Sequence, residues 1–176
     1  MKKAVWLLAV LTFLAGTTAF AADKIKIGYV DLGRSLNESE AGKKAKSDLE
    51  FMIKSKQSTI DEKGKAIEKA KADLDKQGAV LSAEARKAKE EEMERMLRDY
   101  QRLVTDAQSE VKKKENELTG DILKEIRALI QKTGQEEGYT LIIEGAEGLI
   151  LYSEKEIDLT DAIIKKFNDA RAKAKK

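Results

Sequence analysis

The chain has 176 residues, of which 38% are Asp, Glu, Lys or Arg and only 5% are aromatic. That balance suits a long helical or coiled-coil protein better than a compact globule. Cysteine and histidine are absent, which excludes thiol catalysis, histidine acid–base chemistry and the usual zinc ligand sets.

Residues 1–21 read as a signal peptide. Lys2 and Lys3 form a positive n-region, Ala4 to Ala15 an apolar h-region, and Ala19-Phe20-Ala21 satisfies the small-x-small rule for a cut after Ala21. An uncleaved anchor is the alternative, but the apolar run falls short of the ~20 residues a spanning helix needs. The formal net charge of +2 equals the two lysines that leave with the leader, so the mature chain is formally neutral. Neutrality argues against nucleic acid as a bulk electrostatic partner.

Ile25-Lys26-Ile27-Gly28-Tyr29-Val30 alternates and is β-rich, which predicts a strand. Residues 31–38 read as a turn or a helical turn. Ser39 is placed to cap a long helix, with Glu40 favourable at its positive end. From Ala41 to Gly134 there is no proline, and apolar residues recur at helical spacing on both sides of one break. Ile53, Ile60, Ile67, Leu74 and Leu81 fall every seventh residue. After the break, Met93, Leu97, Tyr100, Val104, Ala107, Val111 and Leu118 follow mostly by fours and threes. The spacing predicts an antiparallel helical hairpin over 41–118, packed along a narrow seam, with its tip near 78–82. Gly78 ends the first helix there, and Ser82 caps the second.

A fold-back near Leu81 sets Ile67 against Met96 and Leu97, Ile60 against Tyr100 and Leu103, and Ile53 against Ala107 and Val111. It also brings Gly42 close to Gly120. The first helix carries polar companions at Lys56, Lys63 and Gln77 and a glycine, Gly64, in its middle. It therefore depends on its partner helix for stability.

Beyond Leu118 the apolar pattern thickens through Ile122, Ile126, Leu129 and Ile130, and the helix is expected to end within 134–138. Tyr139–Glu144 and Leu149–Ser153 read as two strands joined by a hairpin loop at 145–148. Thr160 reads as the cap of a last amphipathic helix that carries Ile163 and Phe167. The expected fold is α+β. A small strand-built body comes from both chain ends, 22–40 and 119–176, and a long helical arm projects from it. Ile25, Ile27, Tyr29, Val30, Leu141, Ile143, Leu149 and Leu151 are the body residues. One copy would leave sheet edges open, and a barrel shared between copies would close them. Periodicity alone does not set the copy number.

Two surface features have two readings each. Lys63, Lys65, Lys69, Lys71, Lys76, Arg86, Lys87 and Lys89 crowd the outer half of the arm. They form either a solvated helix face or an attractor for anionic segments or a membrane surface. Met52, Met93 and Met96 are either seam residues or adaptable contacts for a bound partner. Carboxylate pairs such as Glu90 and Glu94 arise by chance in so charged a helix, and acid–base work needs a cleft that shifts a pKa.

The stretch Lys26-Ile-Gly-Tyr-Val-Asp-Leu-Gly-Arg-Ser-Leu-Asn-Glu-Ser-Glu-Ala-Gly-Lys-Lys-Ala45, followed by Leu49, resembles the Skp (OmpH) family of periplasmic chaperones. So does the closing unit from Tyr139 to Phe167, with Asp158-Leu-Thr160. The order of signal, strand, hairpin, strands and final helix is the more specific likeness, and it spans the mature chain. The resemblance implies a periplasmic homotrimer whose strands form a barrel body and whose helical arms enclose a cavity. The implied partners are unfolded outer-membrane β-barrel proteins, held against aggregation without nucleotide or metal. Well-known members are strongly basic, whereas this mature chain is neutral. A structural or adhesive coiled-coil spacer of the envelope is the competing expectation, and an exported enzyme with a site in the base is the third.

Overall fold

The structure, a computed structural model, describes residues 25–77, 80–146 and 148–174. The signal-peptide reading and the Gly78–Ala79 part of the tip lie outside the described residues. In chain order the elements are β1 (Ile27–Val30), α1 (Leu32–Glu38), α2 (Glu40–Gln77), α3 (Ala83–Glu136), β2 (Leu141–Glu144), a 3-10 turn (Lys155–Ile157) and α4 (Thr160–Ala174).

The helix boundaries follow from local chemistry. The Asp31 side chain accepts from the Arg34 N–H and caps α1, so the expected turn is a seven-residue helix. The Ser39 hydroxyl accepts from the Gly42 N–H at 3.1 Å and starts α2. The Ser82 side chain accepts from the Ala85 N–H and starts α3. These groups satisfy backbone donors that a helix start leaves without partners. At 38 and 54 residues, α2 and α3 run about 57 Å and 81 Å. They pack as an antiparallel hairpin, and Lys56 pairs with Glu110 across it.

The body forms where α3 runs back past the root of α2. Val30, Leu32, Ile122, Ile126, Leu159, Ile163 and Phe167 make its buried core, with Leu36, Ala41, Tyr139 and Ile142 packed around them. Strands from both chain ends meet there, and they are parallel, with Ile27 beside Leu141 and Val30 beside Glu144. A parallel pair suits the long helical crossover that connects them.

The expected strand Leu149–Ser153 does not form, so the hairpin loop at 145–148 has no second strand to join. β1 has no edge to offer it, one side being taken by β2 and the other by a bridge from Tyr29 to Asp158, and only the outer edge of β2 remains. The chain also turns away after β2. Leu149 N–H donates to the Ala146 carbonyl at 3.0 Å, and Gly148 has φ +84, a value that glycine adopts at no steric cost.

Two further expectations are corrected. Gly42 does not approach Gly120. A Cβ on Gly42 would lie 1.7 Å from the Leu36 carbonyl oxygen, while one on Gly120 would meet nothing within 4 Å. The tight approach is thus between α1 and α2, not within the hairpin. Thr160 does not cap its own helix. The Asp158 carboxylate accepts from the Thr160 N–H at 2.9 Å, and the Thr160 hydroxyl accepts from the Asp31 N–H at 3.0 Å.

Asp158 is the hub of that junction. Its burial pushes the carboxyl upward. Hydrogen bonds from the Thr160 hydroxyl, the Thr160 N–H and the Tyr29 hydroxyl, with the Arg34 guanidinium nearby, outweigh burial and hold it below its ordinary value. A carboxylate depressed in the folded state contributes stability that is complete above the unfolded value of about 3.9 and is lost as pH falls through the folded value. Asp158→Asn is expected to lower stability by about 1–2 kcal/mol near pH 7. Urea midpoints near pH 7 and pH 3 check this, because the gap from wild type should narrow at about pH 3. A gap of constant size would refute it.

Candidate functional site

Among the described residues no enclosed catalytic constellation is on view. Among the described residues no cluster of His, Cys, Asp and Glu is arranged to hold a metal ion. No described helix is long and apolar enough to cross a membrane. The surfaces that stand out are the arm and one face of the small sheet.

The half-buried stripe of α2 runs through Leu49, Met52, Lys56, Ile60, Gly64, Ile67, Ala70 and Leu74. Opposite it on α3 lie Met93, Met96, Tyr100, Leu103, Val104, Val111 and Leu118, and Ala107 is fully buried. Ile60, Ile67, Leu74, Tyr100, Val104 and Val111 thus sit in the stripe. Ile53 and Leu97 do not share that burial: they are 46% and 43% exposed, and Met52 and Met96 hold the half-buried positions beside them. All three methionines of the arm therefore face the partner helix at least in part.

Of the basic residues, Lys63, Lys71, Lys76, Arg86 and Lys87 are exposed and Lys89 is half-buried. Arg86 pairs with Glu90 at 2.9 Å and Lys87 with Glu91 at 4.0 Å, one helical turn on. Such exposed pairs contribute about 0–1 kcal/mol, so these cations stay available to other anions. Among the described residues Lys63, Lys71 and Lys76 form no ion pair.

Sequence reasoning passed over Phe51, which is 77% exposed on the arm. Its signal was an aromatic residue one position off the seam, in a helix otherwise free of aromatic side chains.

The sheet has one covered face and one open face. Gly28 and Val30 point inward and are buried. Ile27, Leu141 and Ile143 line the other face at 43%, 51% and 43% exposure, with Tyr29 half-buried among them. Ile25, Leu149 and Leu151 are more exposed still. Of the eight predicted body residues, only Val30 is fully buried within one copy. Among the described residues no strand lies beside the outer edge of β2. A groove of about 470 Å³ runs between β2 and the end of α3, lined by Val30, Ile130, Gly134, Tyr139 and Ile142 among others. An apolar face next to an open edge is the usual mark of an association surface.

A family model described as "Outer membrane protein (OmpH-like)" matches residues 26–167. A protein of Aquifex aeolicus (strain VF5), described as uncharacterized, is 27% identical over 168 residues, covering 96% of this chain and 97% of its own length. A crystal structure from Caulobacter crescentus CB15, described as a candidate outer membrane chaperone (OmpH-like), superposes with a TM-score of 0.77. It shares 16% identity and covers 89% of this chain and 92% of its own. At that identity the likeness is one of fold.

Proposed function

The chain belongs to the OmpH-like family, and we propose on that basis that it is an ATP-independent holdase of the periplasm. It binds unfolded outer-membrane β-barrel proteins between its helical arms and keeps them from aggregating. One observation carries the reading. A two-helix arm of about 57 Å, with only Ala107 fully buried among the described residues beyond its root, springs from a small body with an open apolar face. Such an arm has little core of its own to serve, and its length matters for what it reaches.

In this reading the body is completed by other copies. Ile27, Leu141 and Ile143 meet their counterparts in a homotrimer, and Leu149–Ser153 adds as a strand to a neighbour's open β2 edge. Each copy would then supply a strand that it does not pair with its own sheet. A shared barrel closes the edges, and three arms bound one cavity. Clients are held by many weak contacts from the arm surface. Phe51, Ile53 and Leu97 offer apolar contacts there. Lys63, Lys71, Lys76, Arg86, Lys87 and Lys89 attract anionic segments or an anionic membrane surface. The thin seam of Met52, Met93 and Met96 adapts as the arm bends.

The mature protein is expected to suppress aggregation of an outer-membrane barrel diluted from urea, at near-stoichiometric trimer, as followed by light scattering. Absence of suppression across a range of salt concentrations would end the proposal.

A further inference from the structure

In Leu149–Ser153 exposed apolar side chains stand on a free backbone. Leu149, Leu151 and Tyr152 are the exposed ones, with Leu151 at 95%. Beyond the Leu149 N–H, which bonds to Ala146, residues Ile150 to Ser153 make no backbone–backbone hydrogen bond among the described residues. A side-chain tether closes the segment, where the Ser153 hydroxyl donates to the Tyr29 hydroxyl at 3.3 Å. The exposed apolar residues of the arm differ. Phe51, Ile53 and Leu97 lie inside α2 and α3, where helical bonding occupies the main chain. Val80, at the tip, donates its N–H to the Gln77 carbonyl at 2.9 Å.

Extended main chain with large side chains on it is what a protease cleft accepts. Main-chain hydrogen bonds hold such a peptide, and a pocket reads the side chain beside the cut. We propose that Leu149–Ser153 is a cleavage site for an endoprotease that reads a large apolar or aromatic side chain, open in the unassembled subunit and closed by assembly. The main-chain groups that would join a neighbour's β2 edge are those that the protease needs, and the two partners exclude each other. The shielding rests on the trimer reading above, whereas the site itself does not.

A cut after Tyr152 breaks the C–N bond to Ser153. One water supplies its oxygen to the Tyr152 carbonyl carbon, which becomes a carboxylate, and both its hydrogens to the new Ser153 amine. The cut severs α4 from β2. Leu159, Ile163 and Phe167, all buried in the core, then stay in place by association between two fragments rather than within one chain, which carries an entropy cost of its own. One nick in an orphan subunit thus undoes its body, while assembled copies survive.

Chymotrypsin acting on the full mature protein is the test. Mass spectrometry maps the first cut, and sedimentation reads the mass at the same concentration. A dilution series of wild type, with Leu141→Lys plus Ile143→Lys as the unassembled subunit, supplies both states. The first cut is expected within 149–153, at a rate that falls about tenfold or more from monomer to assembly, because cleavage tracks the open population. Leu151→Ser with Tyr152→Ser changes exposed positions that cost the fold little. It should slow that cut about tenfold or more in the monomer by emptying the specificity pocket. A first cut in the arm or at its tip, or no slowing by the serine pair, would overturn the site. A level rate across a change in mass would overturn the shielding and leave the trimer standing. A monomeric mass at every concentration, with the first cut still within 149–153, would remove the trimer and the shielding together and uphold the site.

Discussion

Replacing Gly42 with alanine is expected to destabilise the protein by about 3 kcal/mol, at the upper end of what overpacking costs. The added methyl would lie 1.7 Å from the Leu36 carbonyl oxygen and 2.8 Å from its carbon. Both obstacles are backbone, so no rotamer change relieves the clash. Gly28 and Gly145 are also crowded, but their nearest neighbours, at 2.5 Å, are side-chain atoms of Leu159 and Tyr29 that have room to shift. At Gly42 the relief has to come from α1 moving off α2. That movement would break the hydrogen bonds of Ser39, which is fully buried. Gly120→Ala is the matched control. With open space around it, it should stabilise by up to about 1 kcal/mol through helix preference alone. Urea midpoints of the mature proteins check both, compared at one protein concentration because the stability of any protein that assembles depends on it. A Gly42→Ala midpoint equal to wild type would mean that the α1–α2 elbow is not a fixed joint.

That elbow illustrates what the amino-acid pattern makes legible. Ser39 and Ser82 are readable as caps because a hydroxyl at a helix start has one dominant partner, the backbone N–H three residues on. The hairpin is readable because apolar spacing repeats on both sides of a break. The face of each helix is harder. Ile53, Ile60 and Ile67 share a seven-residue spacing, yet a straight helix drifts about 20° per heptad. With Ile60 and Ile67 in the seam, Ile53 drifts out and Met52 and Lys56 take its place. Strand Leu149–Ser153 fails for a different reason. Its residues favour β-structure, but the Leu149 N–H bond to the Ala146 carbonyl turns the chain away from the open edge of β2, and only the folded topology reveals that Asp158 already occupies the far side of β1. Thr160 was misread because the Asp31 N–H, distant in sequence, claims its hydroxyl. For the candidate binding surfaces, composition located the charged half of the arm. It did not pick out Phe51, because periodicity registers what repeats and passes over a residue that stands off the repeat.

If the proposed trimer forms, changing Leu141 and Ile143 together to lysine is expected to convert it to monomers and to abolish protection of clients. Within one copy the two side chains are 51% and 43% exposed. Their replacement therefore costs the isolated subunit little, of the order of the ±0.5 kcal/mol typical of surface changes. In the proposed barrel shared between copies the same positions would lie inside a desolvated apolar layer. There the loss is of two kinds. Apolar burial worth about 1.5–3 kcal/mol per side chain disappears, and unpaired ammonium groups would have to leave water, at several kcal/mol each. Repeated in every subunit, that exceeds what an interface of ordinary size supplies. Leu97→Lys, at a comparably exposed site on the arm, should leave assembly intact, which separates the effect of position from that of added charge. Sedimentation equilibrium reads the mass, and light scattering of a urea-diluted outer-membrane barrel reads the activity. A double variant that keeps the wild-type mass would place the association surface elsewhere. A variant that is monomeric yet still protects its client would show that one arm suffices and that no enclosed cavity is needed.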